Sequence, residues 1–238
     1  MGIRDATFAH PAVWRANQLG SAVTHGVASQ FAALDRELPE TGWPLGNLIE
    51  LLLLHYGIGE MRLLVPVLAR LSQDGQMVML VAPPAIPYPP ALAQHGVLLD
   101  RLIVVNAAQR ADCLWVIEQA LKSASLGALI AWLPEQSRPL GADQLRRLQL
   151  AAQASRALAF IFRPSAVQPI ASPAPLRIAL APAGLDRLML DIFKRRGPPM
   201  SSPIAIDLPA VTPGSQLKSA RRTLQPVDLI LLKAARAA

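Results

Sequence analysis

The chain has 238 residues, of which 52% are hydrophobic and 5% aromatic, with 22 prolines and a single cysteine, Cys113. This composition supplies one sizeable core and excludes a wholly disordered chain, an intramolecular disulfide and a cysteine-cluster zinc site. The net charge of +7 is uneven: residues 1–130 carry 8 basic and 10 acidic side chains, and residues 131–238 carry 15 and 6, so the second half is either a surface for an acidic partner or a solubilising tail.

Residues 1–45 read as an arm with a helix around Ala22 to Leu38. The first twenty residues hold no continuous apolar targeting segment, and no aliphatic run approaches a membrane span, so a soluble, cytoplasmic protein is expected. LIELLLL (48–54) is an apolar strand, followed by a helix from about Gly59 to Leu71 with Met61, Leu64, Val65, Leu68 and Leu71 on one face. QMVMLVA (76–82) is a second strand, closed by PPAIPYPP, which reads as neither helix nor central strand. ALAQHGV is a short helix, RLIVVNA (101–107) a third strand and ADCLWVIEQALKSAS (111–125) a helix. LGALIAWLP is a fourth strand, GADQLRRLQLAAQASR a helix and ALAFIFRP a fifth strand.

Strands that are apolar throughout, alternating with helices, imply a parallel sheet covered on both faces. The expected class is therefore α/β, with a three-layer core. Beyond Pro164, PLRIALAPAGLDRLMLDIFKRRGPP predicts two strands joined by a tight turn, and SPIAIDLP (202–209) a further short strand. Together they suit an antiparallel extension at one sheet edge. After Ala210 a polar linker leads to LILLKAARAA, a short terminal helix. The expected segments are an arm over 1–45, a core over 46–182, a β extension over 183–209 and a basic tail over 210–238.

The turn HYGIGEM after the first strand sits where nucleotide-binding proteins place a phosphate loop, but its chemistry does not fit. In the Gly-x4-Gly-Lys-Ser/Thr template with Gly59 as the second glycine, Leu54 takes the first glycine position, Glu60 the lysine and Met61 the hydroxyl. A carboxylate facing polyphosphate would cost several kcal/mol in a partly desolvated site. Nor is Gly57 the start of a dinucleotide fingerprint, since Arg62 stands at its third glycine. Gly57 and Gly59 are expected simply to turn a strand into a helix. His10, His25, His55 and His95 show no metal-ligand spacing, and no nucleophile elbow is present. Cys113 is expected to be packed, and Glu50 to sit at a strand end reaching a loop. Trp14, Trp43, Trp115 and Trp132 read as core or arm anchors. The expectation is a non-enzyme without cofactor or metal.

GWPLGNLIELLLLHYGIGEMRLL resembles the opening of the RecA recombinase ATPase core, in which a Gly-Leu-Pro-x-Gly turn leads through a strand ending in Glu to the phosphate loop. Gly42, Pro44, Gly46 and Glu50 match that frame, with one residue more before the loop. In this register the catalytic glutamate falls on Pro84 and the magnesium-binding aspartate on Trp132. Further on, Gly127, Trp132 and Leu133, then Phe160, Ile161, Arg163 and Pro164, are similar to the pattern of the SulA and ImuA families, and the resemblance spans roughly residues 42–182. It implies a RecA-like fold that has abandoned ATP and a role in the SOS response to DNA damage.

SulA proteins bind the division GTPase FtsZ and block its polymerisation. ImuA proteins accompany ImuB, a Y-family polymerase homologue, and an error-prone C-family polymerase in translesion synthesis. The arm HPAVWRANQLG and the long basic tail look like ImuA, so RecA and ImuB are the expected partners, with DNA contacted through the basic half and a nucleoid location after damage. The partner-binding residues implied are Trp14 and Arg15 in the arm, and Lys218, Arg221, Arg222, Leu229, Leu232, Lys233 and Arg236 in the tail. The alternative is a SulA-type division inhibitor.

Overall fold

A computed structural model describes residues 26–133, 139–209 and 231–233. Among the described residues nine strands form one mixed, mostly parallel sheet: β1 (Leu48–Leu53), β2 (Met77–Val81), β3 (Leu102–Asn106), β4 (Leu126–Trp132), β5 (Leu158–Pro164), β6 (Leu176–Pro182), β7 (Arg187–Lys194), β8 (Ile204–Asp207) and β9 (Leu231–Lys233). Their order across the sheet is β8-β7-β6-β1-β5-β4-β2-β3-β9. Among these nine strands only the β6–β7 and β7–β8 pairings are antiparallel. The α/β class and the antiparallel extension at one edge are thus as expected from the sequence.

Among the described residues five α-helices accompany the sheet: α1 (Ala32–Glu37), α2 (Glu60–Gln73), α3 (Pro89–Gln94), α4 (Arg110–Ala120) and α5 (Ala142–Ala154). Alternate strand residues point to opposite faces, which explains why the central strands are apolar throughout. On one face Ile49, Leu51, Ile130, Phe160 and Phe162 pack with Leu34 of α1, Leu64 and Leu68 of α2 and Leu92 of α3. On the other, Leu129, Ala159 and Ile161 pack with Cys113 and Ile117 of α4 and Leu145 and Leu148 of α5. Burying both faces removes any selective reason for alternation along the chain.

The helix expected over 22–38 is confined, within the described residues, to Ala32–Glu37. Residues 26 and 27 are instead extended. Val27 and Trp43 exchange backbone hydrogen bonds of 2.9 and 2.7 Å, and Gly26 N–H donates to Glu40 O. Gly42 is required by this close approach, because a Cβ there would lie 2.6 Å from the Val27 carbonyl oxygen. Trp43 is fully buried and meets the Phe160 ring edge-on at 5.0 Å. Residues 26–45 therefore lie against the core.

Three further expectations change. The last prolines of PPAIPYPP, Pro89 and Pro90, open α3, because the first turn of a helix has no use for the missing N–H groups. The expected terminal helix is, at Leu231–Lys233, a strand parallel to β3; a short aliphatic run has no periodicity to separate the two states, and the open side of β3 supplies a ladder. Trp115 is exposed, since the stripe Cys113, Leu114, Val116, Ile117 and Ala120 of α4 already faces the sheet. Among the described residues no helix is long and apolar enough to cross a membrane.

Candidate partner-binding site

The β1–α2 loop turns at Gly57 and Gly59, both with positive φ, Gly59 serving as the N-cap of α2. Glu60, the first residue of α2, folds back so that the Gly57 N–H donates to its Oε1 at 2.8 Å and Oε2 at 3.1 Å. Its carboxylate is buried at the positive end of the helix. The loop thus satisfies its own anion requirement with a covalently attached anion, and a phosphate approaching Gly57 would meet like charge. Arg62, one turn on, donates through Nε to Pro209 O at 2.9 Å, pairs through Nη2 with Asp186 at 2.8 Å, and so ties the segment after β8 to α2.

Beside this loop, over the carboxyl ends of β2 and β4, lies a cleft of about 600 Å3. Its walls include Tyr56, Gly57, Glu60 and Met61 from the loop and α2, the proline-rich run Pro83 to Tyr88, and Trp132. The ends of parallel strands are where open α/β sheets place their ligands. Pro84 and Trp132, the positions at which the resemblance puts a lost glutamate and a lost aspartate, face this same cleft together with Gly57, Glu60 and Met61. Leu54 lies just beyond β1 and is 73% exposed. Trp132 stacks on Phe162 at 5.2 Å, and its indole N–H has no acceptor among the described residues.

The rim is apolar and protruding: Ile86 is 81% and Tyr88 67% exposed. These two side chains were missed in the sequence, although large apolar residues inside a run that belongs to no element are a legible sign of a surface function. Among the described residues no group of three His, Cys, Asp or Glu is placed to hold a metal ion. Of the residues implied as partner contacts, Trp14, Arg15, Lys218, Arg221, Arg222, Leu229 and Arg236 lie outside the described residues. Leu232 and Lys233 lie on β9, beside Val105 and Asn106 of β3.

A second polar feature lies on the opposite face of the sheet. Glu50 is not at a strand end; it is the third residue of β1, fully buried, and its carboxylate accepts from Arg163 on β5 at 3.2 Å, Arg177 on β6 at 2.7 Å and Ser172 Oγ at 2.5 Å. Arg177 also donates to the carbonyls of Val167 and Gln168 and lies over the Phe193 ring. Here the 165–174 connection helps cover the sheet, and charged side chains anchor it. Lys194 donates to Ser172 O at 2.6 Å; burial, then repulsion from Arg177, lower its pKa, and Glu50 opposes them. Cys113 is buried, its thiol bonded to Ala107 O. Burial, with Asp112 nearby, pushes its pKa up to about 11 despite an opposing backbone hydrogen bond.

The family model for SulA, described as cell division inhibitor SulA, matches residues 54–159. A SulA of Pectobacterium carotovorum is 26% identical over 144 residues, covering 59% of this chain and 83% of that protein. The chain is SulA-like. The SulA of Photorhabdus laumondii is 33% identical over 106 residues, or 44% of this chain and 58% of that protein, and the SulA of Edwardsiella piscicida is 28% identical over 102 residues, with 43% and 58% covered. The chain therefore spans somewhat over half the length of these two relatives. The SulA-like segment runs from the end of β1 into β5, and every residue named above as lining the cleft falls inside it.

Proposed function

We propose that this protein works without catalysis, by binding another protein through its SulA-like segment, as a division inhibitor that engages FtsZ and prevents its polymerisation. The observation that carries the reading is the coincidence of the matched segment with an apolar cleft whose phosphate-loop position is filled by Glu60. Such a surface suits a macromolecule better than a nucleotide. The relatives are named cell division inhibitors, and FtsZ is the partner that the SulA resemblance implies.

A second reading is favoured by what lies outside that segment. Strands β6 to β8 extend the same sheet past residue 159, and the stretch beyond residue 209 carries Lys218, Arg221, Arg222, Lys233 and Arg236. These additions, with the HPAVWRANQLG arm, suit an ImuA-type accessory of translesion synthesis that links RecA to ImuB and, through it, to the C-family polymerase. Affinity capture of the full chain against purified FtsZ, RecA and ImuB separates the two, together with GTP-driven FtsZ sedimentation at equimolar ratio. Capture of FtsZ and loss of its polymer supports the first; capture of RecA or ImuB with undisturbed FtsZ polymer transfers the assignment to the second.

A further inference from the structure

We infer that the cleft over β2 and β4 is the docking site for an uncharged, apolar segment of a partner protein, seated between the proline-rich run and the start of α2. The inference deepens the reading of the chain as a protein-binding module and rests on it.

Charge argues for the chemistry of the occupant. Among the described lining residues Glu60 and Arg62 are the only Asp, Glu, Lys or Arg side chains; Glu60 accepts from the Gly57 N–H, and Arg62 is bound by Asp186 and the carbonyl of Pro209. A charged group entering the cleft would shed water against mostly apolar walls, a cost of several kcal/mol, and an anion would also meet the Glu60 carboxylate. Met61, Val65, Leu80, Ile86, Leu92 and Trp132 reward aliphatic or aromatic contact instead. Nucleotides and acidic peptides are disfavoured by the same argument.

The rim argues for a macromolecule. A small molecule lodged in 600 Å3 would leave the outer surfaces of Ile86 and Tyr88 in water. Both are exposed, and a protein segment inserting one or two large side chains covers cleft and rim together. Buried aromatic and aliphatic anchors ringed by water-excluding contacts are the usual energetic centre of such interfaces. The prolines fix the backbone of one wall, so less ordering entropy opposes docking.

The test uses the full chain and two variants chosen outside the core, Ile86→Asp and, as a control on α5 across the opposite face of the sheet, Leu150→Asp, at a position 58% exposed. Both are expected to melt like the wild type. Against whichever of FtsZ, RecA or ImuB the wild type captures, Ile86→Asp should weaken binding at least about tenfold, and Leu150→Asp should not. Equal binding by all three proteins overturns the cleft and leaves the function standing.

If the wild type captures none of the three, the functional reading fails, and the cleft is tested directly with the neutral dye N-phenyl-1-naphthylamine. Uptake by the wild type that quenches tryptophan emission and is lost in Ile86→Asp supports an apolar docking site. No uptake, or uptake indifferent to the substitution, overturns it. Concentration-dependent dimerisation abolished by Ile86→Asp also overturns it, by making a second copy the occupant.

Discussion

Removing the carboxylate of Glu50 would leave Arg163 and Arg177 charged in the interior, and the cost of such a change lies in the orphaned charges rather than in the lost attraction. Glu50→Gln should therefore destabilise the protein by about 3–5 kcal/mol, read as a fall in the urea midpoint at unchanged slope. Replacing all three with apolar residues of similar volume should recover most of that loss, because no buried charge remains. The outcome that would sink this account is a triple variant less stable than Glu50→Gln. Cys113 gives the second residue-scale prediction. Its folded pKa of about 11 lies above the unfolded thiol value of about 8.5, so its contribution is fully present below that value and is lost as pH rises towards 11. Native protein should resist a thiol reagent at pH 8 and react at once in denaturant. Cys113→Ser, lacking that thiol ionisation, should lose less stability than the wild type between pH 9 and 11. At this scale the sequence showed that charges interrupt apolar strands, Glu50 in LIELLLL and Arg177 in LRIAL. It did not show that they meet, since the partners are separated by 113 and 127 positions.

The start of α2 is held by two contacts from the far end of the chain, and each predicts a cost. Gly59 has φ +100°, and a Cβ there would lie 2.5 Å from Leu208 Cδ1, so Gly59→Ala should destabilise by about 1–3 kcal/mol from backbone strain, with Leu208 displaced. Arg62→Ala frees the Pro209 carbonyl and Asp186 and should cost about 1–2 kcal/mol; the exposed side of the Arg62–Asp186 pair contributes little of this. Faster amide hydrogen exchange in β8 than in β1 would show that the extension has loosened on its own. Uniform acceleration across the sheet would contradict that account. Strands and helices of the parallel core were legible from apolar runs and 3.6-residue periodicity. Pro89, Pro90 and Leu231–Lys233 were not, because a helix's first turn tolerates proline and a short aliphatic run fits either state until an unpaired strand edge selects one.

For the molecule as a whole, the self-occupied loop predicts that ATP with magnesium is not retained: equilibrium dialysis should detect no binding at about 100 μM nucleotide, far weaker than a working phosphate loop. Saturable, magnesium-dependent retention would contradict the assignment of Glu60. Glu60→Ala should not create an ATP site either, since Met61 and Leu54 still stand where a hydroxyl and a glycine are needed.

By itself the sequence determined that this chain folds as an α/β sandwich, that the turn after its first strand lacks the residues for polyphosphate, and that its charge gathers in the second half. These are properties of local pattern and side-chain type, which each segment carries with it wherever it is placed. Only the tertiary structure decided that Glu60 turns inward onto Gly57, that Pro84 and Trp132 become walls of one apolar cleft, and that Glu50, Arg163 and Arg177 share a buried cluster. Parallel strands bring together side chains from distant crossovers, and no spacing along a single chain encodes which of them will face one another.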